Sequence, residues 1–216
     1  DNKHILEIGC GNGILYSKLA KKLNNFRYLG TDFVKELIEV CKTKSNSKNH
    51  NFAQLDMTDI NDKSFDQKFD FIISKRAIQN VLEEKLQIQT IENLGHFLKD
   101  DGNMFLLESS ATAQNRINFE REKCNLHKIT PPFHNLFFDD EIIKNHNFKN
   151  IKLIEILPFA SDFYFITRIL YARYAKEYLN EKTRNDHPLE KIAISMSTNQ
   201  YTKEFSQIQL YIFKKK

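Results

Sequence analysis

Tryptophan is absent from the 216 residues, and cysteine, proline and glycine number only three, four and six. Cys10, Cys41 and Cys124 are odd in number and stand outside any C-x-x-C spacing, which argues against a disulfide framework and against a local zinc site. A reducing cytoplasm suits them best. Long apolar runs are missing too. The most apolar later stretch, 154–174, is broken by Glu155, Asp162, Arg168 and Arg173, so nothing reads as a membrane span. Charge of one sign is also scarce: 32 Lys and Arg face 28 Asp and Glu, and the net +4 is scattered except at Lys214, Lys215 and Lys216. That is too mild and diffuse to indicate nucleic-acid binding. There is no internal repeat and no low-complexity segment. The sequence opens at Asp1, a few residues before its first strand and without a signal or transit segment, so any N-terminal cover of the site is expected to lie outside it.

What is present is concentrated near the start. Ile5-Leu6-Glu7-Ile8 reads as a buried parallel strand, Gly9-Cys10-Gly11-Asn12-Gly13 as a tight turn, and Tyr16 to Leu23 as a helix. Alternate glycines let the backbone turn sharply and turn main-chain N–H groups towards a ligand. A dinucleotide fingerprint wants its third glycine one position later, where Ile14 stands, so a nicotinamide or flavin is disfavoured. A second strand, Phe26 to Thr31, ends at Asp32, about 20 residues past the loop, where a carboxylate can accept from both hydroxyls of a ribose. Asp32 could equally cap the helix 34–44.

Glu-x-Gly-x-Gly-x-Gly resembles the first motif of class I S-adenosylmethionine-dependent methyltransferases, and Phe69-Asp70-Phe71-Ile72-Ile73 is similar to that family's fourth-strand motif. The resemblance covers residues 4 to 108. It implies a Rossmann-like, doubly wound α/β fold with a mostly parallel seven-stranded sheet, an antiparallel last strand and a helical insertion before it. It implies S-adenosylmethionine as cofactor and S-adenosylhomocysteine as product, held by Glu7, Gly9, Cys10, Gly11, Gly13, Asp32, Phe33, Asp56, Met57 and Ser74. In this reading Asp56, after a short third strand at 51–55, meets the adenine amino group; it could also cap the turn before Ile60.

At the end of the fourth strand, 69–74, lie Lys75, Arg76 and Asn80. Arg76 could grip an anionic substrate group or pair with Glu83 or Glu84 at the surface. The clearest helix is 86–98, with Lys99-Asp100-Asp101-Gly102 ending it before a fifth strand at 103–108. A polar helix over 111–125 brings Asn115 and Arg116 to the acceptor side. Thr130-Pro131-Pro132-Phe133 follows the fifth strand and its helix, not the fourth strand, and so differs in position from the Pro-Pro motif of adenine-N6 methyltransferases. The passage resembles, loosely, the acceptor loop of bacterial small-molecule and sugar O-methyltransferases, some of them in capsule or lipopolysaccharide pathways. Its rigid proline pair is flanked by His127 and His134, with Asn135 beside the latter.

A hydroxyl acceptor benefits from a general base, and histidine suits neutral pH. His134 is favoured over His127, with Glu108 a further candidate; a structural role for His134 stays open. No metal-ligand set is visible. A short helix is expected at 139–144, a sixth strand at 151–157 and the last strand at 208–213. Between them, 158–206 reads as helices at 165–179 and 188–196, serving as a lid or an oligomer contact within a single domain, 1–216. The function implied is O-methylation of a small polar acceptor, anionic ones included: a sugar, sugar nucleotide or phosphorylated intermediate. An RNA or protein methyltransferase and a non-catalytic cofactor-binding subunit are the alternatives, with a homodimer through the insertion possible.

Overall fold

The computed structural model describes every residue except Asp1, Asn46, Asn199, Gln200 and Lys203, the last four of which fall in the 45–50 loop and in the 158–206 insertion. Its elements run β1 Lys3–Ile8, α1 Ile14–Ala20, β2 Phe26–Asp32, α2 Lys35–Lys44, β3 His50–Gln54, β4 Phe69–Lys75, α3 Glu84–His96, β5 Leu98–Ser109, α4 Ala111–Lys123, α5 Asp140–Asn145 and β6 Ile151–Phe159. The insertion follows: α6 Ser161–Phe165, a π turn Ile166–Leu170, α7 Tyr171–Tyr174, a second π turn Ala175–Leu179 and α8 Pro188–Ser195. The chain closes on β7 Ile208–Lys215.

The sheet order is β3-β2-β1-β4-β5-β7-β6, with β7 antiparallel to both of its neighbours. Strand order reverses between β1 and β4, so the crevice at their C-terminal ends is where such a sheet opens to a ligand. Side chains alternate across β1. Leu6 and Ile8 join the core under α3, with Ile72, Ile91, Leu94 and Leu106, while Ile5 faces Tyr16, Tyr28, Ile38 and Phe52 on the other side. Both faces are covered, which is why these strands read as apolar runs.

Some boundaries move. The first helix starts at Ile14, directly on the glycine turn. The α3 helix stops at His96, and Leu98 already belongs to β5. Gly102 therefore does not end that helix; the left-handed residue here is Asp101, at φ 63°, within β5 where its register against β4 shifts. The expected helix at 165–179 begins earlier, at Ser161, and its wide turns shift the faces relative to a regular α-helix. The insertion is stitched down at several points. Asp162 accepts from Tyr201 N (3.0 Å), Thr202 N (2.7 Å) and Thr202 Oγ1 (2.6 Å), and Tyr171 stacks on His187 with ring centres 4.4 Å apart. A third apolar cluster, Ile117, Tyr164, Ile169 and Ile208, seats it on α4.

Candidate functional site

The glycine turn is conformationally demanding, since Gly9, Gly11 and Gly13 have φ of 70°, 55° and 74°. Gly9 also faces Ala77, whose Cβ would lie 2.1 Å from a Cβ added there. At Gly13 the equivalent neighbour is Cys41 Sγ, at 3.0 Å. Gly11 differs: a Cβ there would meet nothing within 4 Å, so its small size leaves clearance over the crevice. Asp32 locks the turn from the next strand. Its Oδ2 accepts from Gly11 N at 2.8 Å and its Oδ1 from Val34 N at 3.0 Å, while the N-cap position of α2 is Val34 and carries no side-chain cap. Below the turn, Cys41 Sγ donates to Gly11 O at 3.2 Å.

A cavity of about 570 Å³ opens over this turn. Of the residues expected at the site, Gly9, Gly11, Asp32, Phe33, Asp56, Met57, Arg76 and Asn80 line it. Asp56 caps the turn after β3, accepting from Thr58 N at 2.9 Å and Thr58 Oγ1 at 2.7 Å, and it lines the cavity as well. Arg76 sits in left-handed backbone, φ 57°, and makes no ion pair with Glu83 or Glu84. Sequence reasoning passed over Val34, Leu37, Thr58 and Val81, which complete the wall. Val34, Leu37 and Val81 looked like ordinary apolar packing residues, and Thr58 like an ordinary turn residue. Another cavity, about 320 Å³, opens by His4, Arg27 and Lys48 at the N-terminal ends of β1 and β2, away from the glycine turn.

Other expected residues stand elsewhere. Glu7 is buried and bonds Tyr28 Oη; burial holds its carboxyl up at about 7. Cys10 and Gly13 support the turn from below, and Lys75 and Asn115 are exposed outside the cavity wall. Arg116 is turned to Glu204 O, 3.3 Å, beside a different cavity. His127 and His134 are exposed and neither lines the large cavity; His134 packs edge-on to Phe133, itself 94% exposed.

Glu108 corrects the expectation of a base open to an acceptor. It has no exposed surface, and it accepts from Ser74 Oγ (2.8 Å) and from the amides of Ala77, Ile78 and Gln79 (3.2 Å each). Burial still raises its carboxyl to about 7 against those four donors. Glu108 and Ser74 thus anchor the 76–79 turn from underneath. Gln79 extends the anchor: its Oε1 accepts from Ser109 N at 3.0 Å and its carbonyl from Leu136 N at 2.7 Å. Gln87 Nε2 donates to Val81 O (2.9 Å) and Leu136 O (2.8 Å), tying the loop after the prolines to the same turn. These glutamine roles carried no sequence signal, because their partners are backbone atoms far along the chain.

The chain matches the model of the Methyltransferase domain family over residues 1–151. It belongs to that family. This methyltransferase is 35% identical over 98 residues to a malonyl-[acyl-carrier protein] O-methyltransferase of Bacillus anthracis, an alignment covering 45% of the chain and 34% of the relative. The chain thus spans about a third of that relative's length. Among solved structures, a methyltransferase in complex with the Trm112 activator of Haloferax volcanii superposes with a TM-score of 0.64 at 13% identity, covering 99% of this chain and 82% of the other. An S-adenosylmethionine-dependent methyltransferase of Clostridium acetobutylicum gives 0.59 at 12% identity, with 98% and 83% covered. The sheet is that of a class I S-adenosylmethionine-dependent methyltransferase, and S-adenosylmethionine is the cofactor of this family. Gly11 fits that cofactor, since any side chain there would occupy space in the cavity. Among the described residues there is no group of three or more His, Cys, Asp or Glu arranged to hold a metal, and no helix long and apolar enough to cross a membrane.

Proposed function

We propose that the chain is an O-methyltransferase acting on a small, polar, anionic acceptor. The observation that carries it is the single cavity shared by Gly11, Asp32, Asp56 and Arg76: two carboxylates stand over the glycine turn, and a cation with no carboxylate partner among the described residues stands at its rim. Asp32 retains lone pairs for ribose hydroxyls beyond the two amides it already accepts, while Phe33, Leu37, Met57 and Val81 offer an apolar wall to an adenine ring. When bound, S-adenosylmethionine supplies an electrophilic methyl group. The protein's part is then to align an acceptor oxygen, an ordering that is worth roughly 7 to 11 kcal/mol when complete.

The acceptor reading covers a sugar, a sugar nucleotide or a phosphorylated intermediate, including one of surface-polysaccharide synthesis, and the malonyl relative adds a carboxylate to that class. Asn80, Asn115, Arg116 and Asn135 remain acceptor candidates. For the base we propose His134, whose loop is held to the 76–79 turn two residues later through Leu136. His134→Gln is expected to lower kcat by about 10² or more if it takes the acceptor proton; near-normal turnover would remove it from that role. Free Cys10, Cys41 and Cys124 fit a reducing cytoplasm. Exposed Leu170, Tyr178, Ile192 and Ile194 support a lid or homodimer role for the insertion, which sedimentation at several concentrations would test.

Calorimetry with S-adenosylhomocysteine, followed by methyl transfer to phosphorylated sugars, nucleotide sugars, small dicarboxylates, RNA and protein, tests the whole reading. Absence of S-adenosylhomocysteine binding would defeat it. Turnover on RNA alone, or binding without turnover on any acceptor, would replace the small-molecule assignment.

A further inference from the structure

Buried polar atoms without a partner are rare in folded proteins, and each calls for a reason. Four of the five such atoms among the described residues lie in three elements that touch one another: Gln114 Oε1 on α4, Asn135 Oδ1 on the proline loop, whose Ile129 is bonded both ways to Asn118 of α4, and Ser161 Oγ and Arg168 Nε on the insertion helix, which packs on α4. Gln114 is 3% exposed and Ser161 not at all.

These atoms share one seam. Ser161, Tyr164 and Arg168 recur at three and four residues, one face of the helix. Tyr164 packs with Ile117 of α4, one turn after Gln114, and Arg121, one further turn along α4, donates through Nη1 to Arg168 O. Asn135 precedes Leu136, whose amide is held by Gln79 of the turn that carries Arg76. Burial raises the Tyr164 hydroxyl, a rise that the charges of Arg168 and Arg76 both oppose. Neither arginine forms an ion pair among the described residues. Two planar cations without ion pairs and three unpaired acceptors, on elements that contact one another or the 76–79 turn, have the chemistry to meet a ligand that carries both an oxyanion and hydroxyl groups.

We propose that Arg76 and Arg168 together hold an oxyanion of the methyl acceptor, and that Gln114, Asn135 and Ser161 receive hydroxyl groups flanking it. The acceptor class is therefore a hydroxylated carboxylate or phosphate ester. This deepens the O-methyltransferase reading and rests on it, because the seam adjoins the cofactor cavity through Arg76.

The test is calorimetric titration of inorganic phosphate and, separately, of malonate into the chain saturated with S-adenosylhomocysteine, at ionic strength held constant with chloride. At least one of the two should bind the parent chain, and the arm that binds tells phosphate from carboxylate. Arg168→Met and Arg76→Met should each weaken that binding about tenfold or more, and Arg168→Lys should recover part of it. Thermal unfolding checks each variant; should Arg168→Met fail to fold, Arg76→Met and Arg168→Lys decide. No binding of either anion to the S-adenosylhomocysteine-loaded chain, or equal binding by the parent and the folded arginine variants, overturns the proposal and leaves the seam to water. If S-adenosylhomocysteine itself does not bind, the methyltransferase reading fails first and takes this one with it.

Discussion

Residues up to Ser109 and residues from Ser110 onward treat their buried polar groups in opposite ways. In the first region the backbone makes the site, and its polar groups are already spoken for: Gly11 N by Asp32, Gly11 O by Cys41, and the 77–79 amides by Glu108. In the second region Gln114, Asn135, Ser161 and Arg168 keep buried side-chain polar atoms unpaired. The difference teaches that the glycine-turn side is preorganised in the folded chain, whereas the later side has hydrogen-bonding capacity left over, which the proposal above gives to the acceptor.

The sharpest break of that contrast lies inside the glycine turn. Gly9→Ala is expected to destabilise the fold by about 2 to 4 kcal/mol, from the clash with Ala77 and the left-handed backbone together. Gly11→Ala meets no neighbour, so only the backbone cost of about 1 kcal/mol applies, while its methyl group intrudes on the cavity. Chemical denaturation and S-adenosylhomocysteine titration of the pair should therefore give opposite rankings. If both variants lose stability equally, the clearance assigned to Gly11 is wrong.

Next comes the buried carboxyl beneath the 76–79 turn. Glu108 ionises near 7 in the fold against 4.5 normally, so between those values the folded chain holds a proton that the unfolded chain has released. Stability should then fall as pH rises from about 4.5 to 7 and level off above, by on the order of 3 kcal/mol for this group. Glu7 adds a slope of the same sign. His4, whose ring burial holds below its ordinary value, adds one of opposite sign. The difference in slope between the parent chain and Glu108→Gln isolates the group, and identical slopes would refute its assignment.

Asp32→Ala should weaken S-adenosylhomocysteine by on the order of 1.5 to 3 kcal/mol through the lost charge-assisted bonds, with the amides of Gly11 and Val34 also released. An unchanged dissociation constant would detach Asp32 from the cofactor. The smallest effect is expected at the far end of the sheet, where Asp70 pairs with Lys3 (3.0 Å) and Lys99 (2.7 Å) and accepts from His4 N (2.9 Å). These contacts hold its carboxyl well below the usual range despite burial. Because both lysines are exposed, Asp70→Asn should cost about 1 kcal/mol in denaturation and leave ligand binding untouched.

How much could be read in advance follows the range of the interactions. The glycine spacing, Asp32 and Asp56 were legible because each lies at the end of a strand whose apolar pattern is local. Glu108 was legible as a polar residue ending a strand, but not as an anchor: its donors are 29 to 34 residues away in the chain. The histidines beside Pro131 and Pro132 drew attention by residue type, and the fold leaves both outside the cavity wall. Gly102 resembled a helix cap, while the strand on its C-terminal side in fact starts before it.

Sequence alone determined the alternating strands and helices, the turn that only glycine accommodates, and the carboxylates spaced to meet it, because backbone sterics and apolar periodicity act within a few residues. Tertiary structure decided which polar groups are consumed and which are left over. That allocation depends on atoms brought together from distant strands and on the water excluded between them, and no local pattern encodes it.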